Sequence, residues 1–511
     1  MDYVLTGIAS KQVDSYCIKE VGIPSLALME RAALAVADET LNYLKDTKKQ
    51  KKQVFVISMP GNNGADGLAA ARMIREKGYF CRVCVIGSLS RATEEFLVQL
   101  NIIKQMDIEI ILCDTEESVK TIEIPGDNVI IDALFGIGLS REVSGMYAEI
   151  IKKINESENY VISVDIASGL NPATGSVMGV AVDADKTVTF GTRKAGQLLG
   201  EGKAYSGEVV VKDVGFVKHA YEKVVENNPS EVYECFTVND LKRIPKRIRT
   251  SNKGTYGTVH VIGGGADMSG AAALSATAAY RCGAGLVKVY AKENNLNALK
   301  ILIKEAVILG FSDFDKASIS EQKDIVIIGP GLSVTEETIE LVREVLTLKC
   351  KIVLDADALN VISQNRMLLE CLNENVVITP HVKEMARLTD KDTDYIRKNI
   401  VQCAREFSME HSCVTVIKDA AAVISSAEGK IKINTTGNSG MSKGGSGDIL
   451  TGIIAGLISQ NLSVYEAAGM GVYLHGIAGD YAAAEKSEYS LLASDLLEKL
   501  PEVFRLRMEN Q

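Results

Sequence analysis

The 511-residue chain has no long block of basic residues, no apolar run long enough to cross a bilayer and no short-period repeat. The first absence excludes nucleic acid as a partner, because that binding rests on clustered positive charge and the net charge here is −10. The one basic run, KDTKKQKK at 45–52, reads as a solvated helix end. The second absence excludes a membrane partner. The opening MDYVLTGIASKQVDSYCIKE lacks the basic-then-apolar layout of a signal peptide, so a cytoplasmic protein is expected. Ten cysteines, scattered and mostly within apolar runs, read as reduced core thiols. Cys81 and Cys84 in YFCRVCVIG form a CxxC, yet no second pair completes a zinc site. They also lie in a strand-like run, not at the helix start where a redox pair acts, so the pair reads as structural.

What is present is an ordinary globular composition, 46% apolar and 24% charged, long enough for two large domains. From residue 53 short β-branched runs alternate with helical stretches: QVFVISM, a helix from about 66, YFCRVCVIG, a helix near 93–106, IEIILC, NVIIDALFG and YVISVDIASG. This alternation predicts a parallel sheet wrapped by helices on both faces, with residues 10–45 as an added helical layer. The pattern lapses over 217–238, and a second alternating series runs from GTVHVIGGG to a glycine-rich loop entering DILTGIIAGLIS. The expected fold class is therefore α/β, with a Rossmann-like three-layer α/β/α domain first and a second helix-covered, mostly parallel sheet after it.

Ligands collect at the carboxyl ends of strands in such sheets, and in the first series those ends read PGNNGADG, DALFGIGLSRE and VDIASG. They bring Asp66, Asp132 and Asp165 toward one edge. Several carboxylates repel a bare phosphate, whereas oxygen-rich groups such as Asn63, Asp132 and Ser168 suit a hard cation, so a polar ligand beside a metal ion is expected. The spacing matches neither GxGxxG nor a GK[ST] phosphate loop. Read singly, each loop is also an ordinary turn, with Asp66 as a helix cap.

PGNNGADGLAAARMI, IIDALFGIGL and SVDIASGLNPATG together resemble the signature loops of the NAD(P)H-hydrate epimerase family, over roughly residues 1–220. The resemblance implies a substrate held by Asn62, Asn63, Gly64, Ala65 and Asp66, by Gly136, Ile137, Gly138, Leu139, Ser140, Arg141 and Glu142, and by Asp165, through which a proton would pass. It also implies potassium (K+) on Asn63, Asp132 and Ser168. Ala65 and Ala167 stand where the family usually has Gly and Pro.

In NTTGNSGMSKGGSGDILTGIIAG the glycines bare backbone N–H groups and the following helix adds its positive end, which makes an anion hole. Asp448 at its rim could take a proton from a substrate hydroxyl as a phosphoryl group arrives, or simply cap the helix. With VIGGGADMSGAAALSATAAYRCGAGLV, IIGPGLS, VLDADALN and VITPHVKEMARL, this loop resembles the ADP-dependent (S)-NAD(P)H-hydrate dehydratase family of the ribokinase-like superfamily, over about 229–508. By that resemblance Ala272, Gly331, His381 and Asp448 meet the hydrate. Lys418, Asp419, Ala420, Ala421 and Ala422 would bind nucleotide, with Asn438, Ser439, Gly440, Met441, Ser442, Lys443, Gly444, Gly445, Ser446 and Gly447. His381 would otherwise read as a core histidine. KDAAA stands for the family's KGxxT, and GNSG for GNPG.

Together the resemblances imply a bifunctional cofactor-repair enzyme: an epimerase domain over 1–220, and a dehydratase domain over 229–508 that uses ADP or ATP with Mg2+. Its expected partners are NAD(P)H hydrate and ADP, in a homo-oligomer. The rival reading is a small-molecule kinase fused to a non-catalytic dinucleotide-binding module, since the first fold also resembles part of mRNA-decapping scaffold proteins.

Overall fold

The computed structural model describes residues 2–46 and 53–509; most of the basic run at 45–52 lies outside them. The chain forms two compact units, one spanning Tyr3–Tyr233 and the other Glu234–Gln511 with the first two residues.

The first unit carries a seven-stranded sheet. Its strands are β2 (Val54–Ser58), β3 (Cys81–Ile86), β4 (Glu109–Cys113), β5 (Val129–Ala133), β6 (Tyr160–Val164), β7 (Lys186–Phe190) and β9 (Glu208–Lys212), while β1 (Asp2–Leu5) and β8 (Arg193–Lys194) pair in parallel outside it. The order is β4-β3-β2-β5-β6-β7-β9 and every pairing is parallel. The strand order reverses between β2 and β5, which opens a crevice at their carboxyl ends. Central strands are buried throughout, as helices on both faces require. Helices Gly7–Lys19 and Ser25–Asp46 make the added layer. Cys81 and Cys84, three residues apart on β3, fall into the cores on opposite faces of the sheet, so they can share neither a metal nor a disulfide. Burial pushes the Cys81 thiol up to about 12.

The second unit adds β10 (Val232–Cys235), β11 (Thr258–Ile262), β12 (Leu286–Ala291), β13 (Val307–Gly310), β14 (Ile325–Ile328), β15 (Lys351–Leu354), β16 (Val376–Ile378), β17 (Val414–Ile417), β18 (Val423–Ser425) and β19 (Ile431–Ile433). From β13 through β12, β11, β14, β15 and β16 to β17 the sheet is parallel; β17, β18 and β19 are antiparallel. KDAAAVIS is thus the turn and return strand of a hairpin. Helix Ser446–Ser459 is apolar nearly all round and buried, packed most closely on the Ala-rich helix Ser269–Arg281, where Gly452 and Gly456 leave room for the backbone of that helix.

Among the described residues no helix is long and apolar enough to cross a membrane.

Candidate active sites

The first site is a cavity of about 650 Å³ at the β2/β5 crevice. Helix Asn62–Glu76 starts four residues earlier than its sequence pattern predicts, so the NNGADG motif is its first turns and not a loop. The reason is Gly64: a Cβ there would lie 1.9 Å from the Met59 carbonyl oxygen, and only glycine lets the helix begin so close to its strand. Asp66 consequently sits within the helix and caps nothing. Asn62, Asn63, Asp66, Gly136 to Arg141 and Asp165 all line the cavity, whereas Gly64, Ala65 and Glu142 do not. The helical layer contributes Lys11 and Asp14, and the segment after β7 contributes Thr192 and Lys194; sequence reasoning had singled out none of these.

The electrostatics divide the carboxyl groups. Asp165, in a left-handed backbone conformation (φ +65°), accepts through Oδ1 from Lys194 Nζ at 2.5 Å. Burial, then the neighbouring Asp165 and Asp14 charges, hold the Asp66 carboxyl well above the usual range. Burial and Asp165 raise Asp14 likewise. Asp132 lies beneath the cavity, fully buried, and accepts from Ser163 Oγ (2.8 Å), Ser168 N (2.9 Å), Ser168 Oγ (2.6 Å) and Leu134 N (3.3 Å). Desolvation outweighs those bonds and raises it. Ser168 Oγ also lies 3.2 Å from the Phe135 carbonyl, so three oxygens converge there. Asn63 faces Gly136 across the same corner, and its buried Nδ2 has no hydrogen-bond partner among the described residues.

The second site gathers at the carboxyl ends of β14 to β17. Asp355 follows β15 and Lys418 follows β17; Lys418 Nζ reaches Asp355 Oδ1 at 2.7 Å, and Thr451 Oγ1 donates to Asp355 Oδ2 at 3.0 Å. Gly445, left-handed at φ +93°, is the N-cap of helix Ser446–Ser459. Asp448 is therefore in the first turn and not the cap. Burial, with Asp355 and Asp357 adding repulsion against the pull of Lys418, pushes it up to about 7. Gly447 is held close: a Cβ there would meet Lys418 Nζ at 3.3 Å. Ser446 Oγ lies 3.2 Å from His475 Nε2, an imidazole whose burial pushes it down to about 4 and leaves it neutral.

His381 is no core histidine. It caps helix Val382–Thr389, its Nδ1 accepting from Glu384 N at 3.1 Å, with nearly half the side chain exposed. Burial and Lys418 lower its pKa. Gly331 (φ +61°) packs on Met268, while Ala272 is fully buried against Gly263 and Gly264. Asn438 caps the turn Ser439–Met441 and is tied through Nδ2 to Asp480; Ser439 bonds to Glu488, and Lys443 donates to the Tyr489 carbonyl. Ser442 and Gly444 are exposed, as are Asp419 and Ala420, while Gly440, Ala421 and Ala422 are buried. Asp355, Asp357, Thr451 and His475 were not singled out from sequence, although VLDADALN places an aspartate at a strand end, which is the available signal.

Residues 25–196 match the family described as YjeF-related protein N-terminus, and residues 259–502 match NAD(P)H-hydrate dehydratase. The bifunctional NAD(P)H-hydrate repair enzyme of Moorella thermoacetica is 32% identical, over 98% of this chain and 97% of its own. The chain belongs to the bifunctional NAD(P)H-hydrate repair enzymes. The member of that family from Coxiella burnetii is 33% identical over 94% of this chain and 95% of its own. A solved ADP/ATP-dependent NAD(P)H-hydrate dehydratase from Bacillus subtilis shares 31% identity, with a TM-score of 0.48 over 53% of this chain and 98% of that one. Membership in the repair-enzyme family makes this chain an enzyme and sets aside the reading as a kinase joined to a non-catalytic module.

Proposed function

We propose that the chain restores hydrated nicotinamide dinucleotides in two activities, one per unit. The first interconverts the R and S epimers of NAD(P)H hydrate, and the second dehydrates the S form to NAD(P)H at the expense of ADP or ATP. The observation that carries this reading is that each unit has, at its strand ends, a lysine-paired aspartate beside a second carboxyl whose pKa is raised by burial.

In the second unit the bare N–H groups over Gly444, Gly445 and Gly447, with Lys418, take the nucleotide phosphates. Asp448, half ionised near neutrality, accepts the hydrate's hydroxyl proton as the phosphoryl group arrives; departure of phosphate with its bonding electrons, and loss of a proton from the adjacent ring carbon, then leave the dihydronicotinamide. Magnesium brought with the nucleotide would neutralise phosphate charge there.

In the first unit Asp165 takes the hydroxyl proton while Asp66, whose burial favours the protonated form, gives one to the adjoining ring nitrogen. The ring opens at that C–N bond, recloses on the other face, and both protons return. Lys11 and Arg141, which line the same cavity, suit the dinucleotide phosphates. The oxygens of Asp132 and Ser168 and the Phe135 carbonyl, with Asn63 Oδ1 facing Gly136 as a further oxygen, fit potassium, which would supply a fixed positive charge under the substrate loop.

The test supplies mixed hydrate epimers and follows dihydronicotinamide absorbance. Full recovery with ADP or ATP is expected, together with epimer exchange above the uncatalysed rate when nucleotide is omitted. Recovery that halts once the S fraction is consumed would remove the first activity.

A further inference from the structure

We propose that Lys194, seconded by Gln197, is the positioning residue of the first unit's reaction: it locks Asp165 so that one oxygen alone faces the hydrate. This inference rests on the epimerase reading of that cavity.

The geometry is specific. Lys194 is 2% exposed, and its ammonium group is enclosed by Asp165 Oδ1 (2.5 Å), Thr189 Oγ1 (2.9 Å), the Phe190 carbonyl (3.0 Å) and the Thr192 carbonyl (3.3 Å). Its three N–H donors are committed to these four oxygens, so none is left for substrate, and its action on the reaction passes through Asp165. Asp165 Oδ1 also receives Thr189 Oγ1 at 3.1 Å and Phe190 N at 3.2 Å. Every hydrogen bond that the described residues make to this carboxylate falls on Oδ1. Oδ2 is the oxygen left to act on the cavity that Asp165 lines.

The same short segment holds the aspartate's main chain. Lys194 N donates to Gln197 Oε1 at 2.8 Å, and Gln197 Nε2 donates to the Asp165 carbonyl at 2.7 Å. A residue held at positive φ is thereby gripped at both backbone and side chain. A lysine kept this far from water needs a fixed counter-charge, and a carboxylate so paired cannot swing. The consequence is a base with one usable oxygen in one place. The proton that Oδ2 takes from the hydroxyl as the ring opens is returned as it closes, so the step consumes no co-reactant.

The experiment uses the full chain with Lys194→Met and, as an isosteric change that removes one oxygen of the enclosure, Thr189→Val. Epimer exchange is followed with NADPH hydrate, and dehydration of pure S hydrate by the same preparation normalises active chain. For Lys194→Met, kcat for epimerisation is expected to fall about 10²-fold or more with KM within about threefold, since positioning is exerted on the reacting geometry. Thr189→Val, which keeps the ion pair, should lose about tenfold in kcat alone. Wild-type-like kcat in both variants, or a loss confined to KM, would overturn the positioning role and leave the epimerase reading standing. Absence of exchange in the wild-type chain would overturn the epimerase reading, and the inference with it.

Discussion

Asp448 and Asp355 show how neighbouring residues of one type come to differ. Asp355 is tied by Lys418 and Thr451, whereas Asp448, which makes no ion pair among the described residues, is pushed up to about 7 by burial. A general base works only when deprotonated, so nucleotide-dependent dehydration is expected to be low at acid pH, to rise through about pH 7 and to level off above it. Asp448→Asn keeps the size of the side chain but loses the proton-accepting charge. Its dehydration rate should drop by about 10² to 10⁴ and lose that pH limb, with epimerisation spared. A pH–rate profile with S hydrate and ADP checks both. At Asp132 the structure separates two effects. Asp132→Ala would orphan the donors from Ser163, Ser168 and Leu134, at about 1–3 kcal/mol for each buried group, and should lower the melting temperature of the first unit. Asp132→Asn keeps the shape and one oxygen but sets its amide N–H against the backbone N–H of Ser168 or Leu134, so it should cost less stability than Asp132→Ala while losing potassium stimulation of epimerisation, measured in potassium against sodium chloride.

At the scale of elements, the helix Asn62–Glu76 decides where the first site's residues point. Its early start turns Asn62, Asn63 and Asp66 toward the cavity, and Gly64 permits that start. Gly64→Ala should push the helix off the Met59 carbonyl, cost about 1–3 kcal/mol in the first unit's stability and reduce epimerisation, with dehydration of S hydrate as the unaffected comparison. Thermal unfolding together with epimer exchange would measure it, and an unaltered rate would mean that the backbone yields freely there. The alternating strands and helices were legible from the sequence because period and β-branching are local properties. Helix starts were not, since clearance from the Met59 carbonyl set the one at Asn62 and the left-handed turn at Gly445 set the one at Ser446. The motif carboxylates Asp66, Asp165 and Asp448 were legible as candidates. Lys194 and Asp14 were not, because GTRKAGQ and the first helix carry no pattern that marks a buried cation or a cavity wall. Asp355 lay in between, at a recognisable strand end with no local sign of its lysine.

At the scale of the molecule, the division of labour can be tested by cutting the chain, and the structure says where. The sequence pattern lapses over 217–238, but helix Lys218–Asn227 buries Ala220 and Val224 in a cluster with Leu5, Ala9, Val13 and Cys17, and Thr6 Oγ1 donates to Glu231 at 2.6 Å. A cut near 220 would strip that cluster from the very helix that carries Asp14, so the first fragment would lose a wall of its cavity. A cut between Tyr233 and Glu234 falls inside β10 but leaves the cluster whole, and each side keeps its own apolar core. Residues 1–233 are expected to fold, to exchange hydrate epimers without nucleotide and to lose that ability on Lys194→Met. Residues 234–511 should dehydrate S hydrate with ADP or ATP and leave the R form untouched. Mixing the two fragments should restore full recovery from mixed epimers at the rate of the slower activity, because the hydrate can diffuse from one to the other. Circular dichroism and the two separate assays measure this. A folded but inert 1–233 fragment, beside an intact chain that epimerises, would mean that the first activity needs residues beyond Tyr233 and that the two units do not act independently.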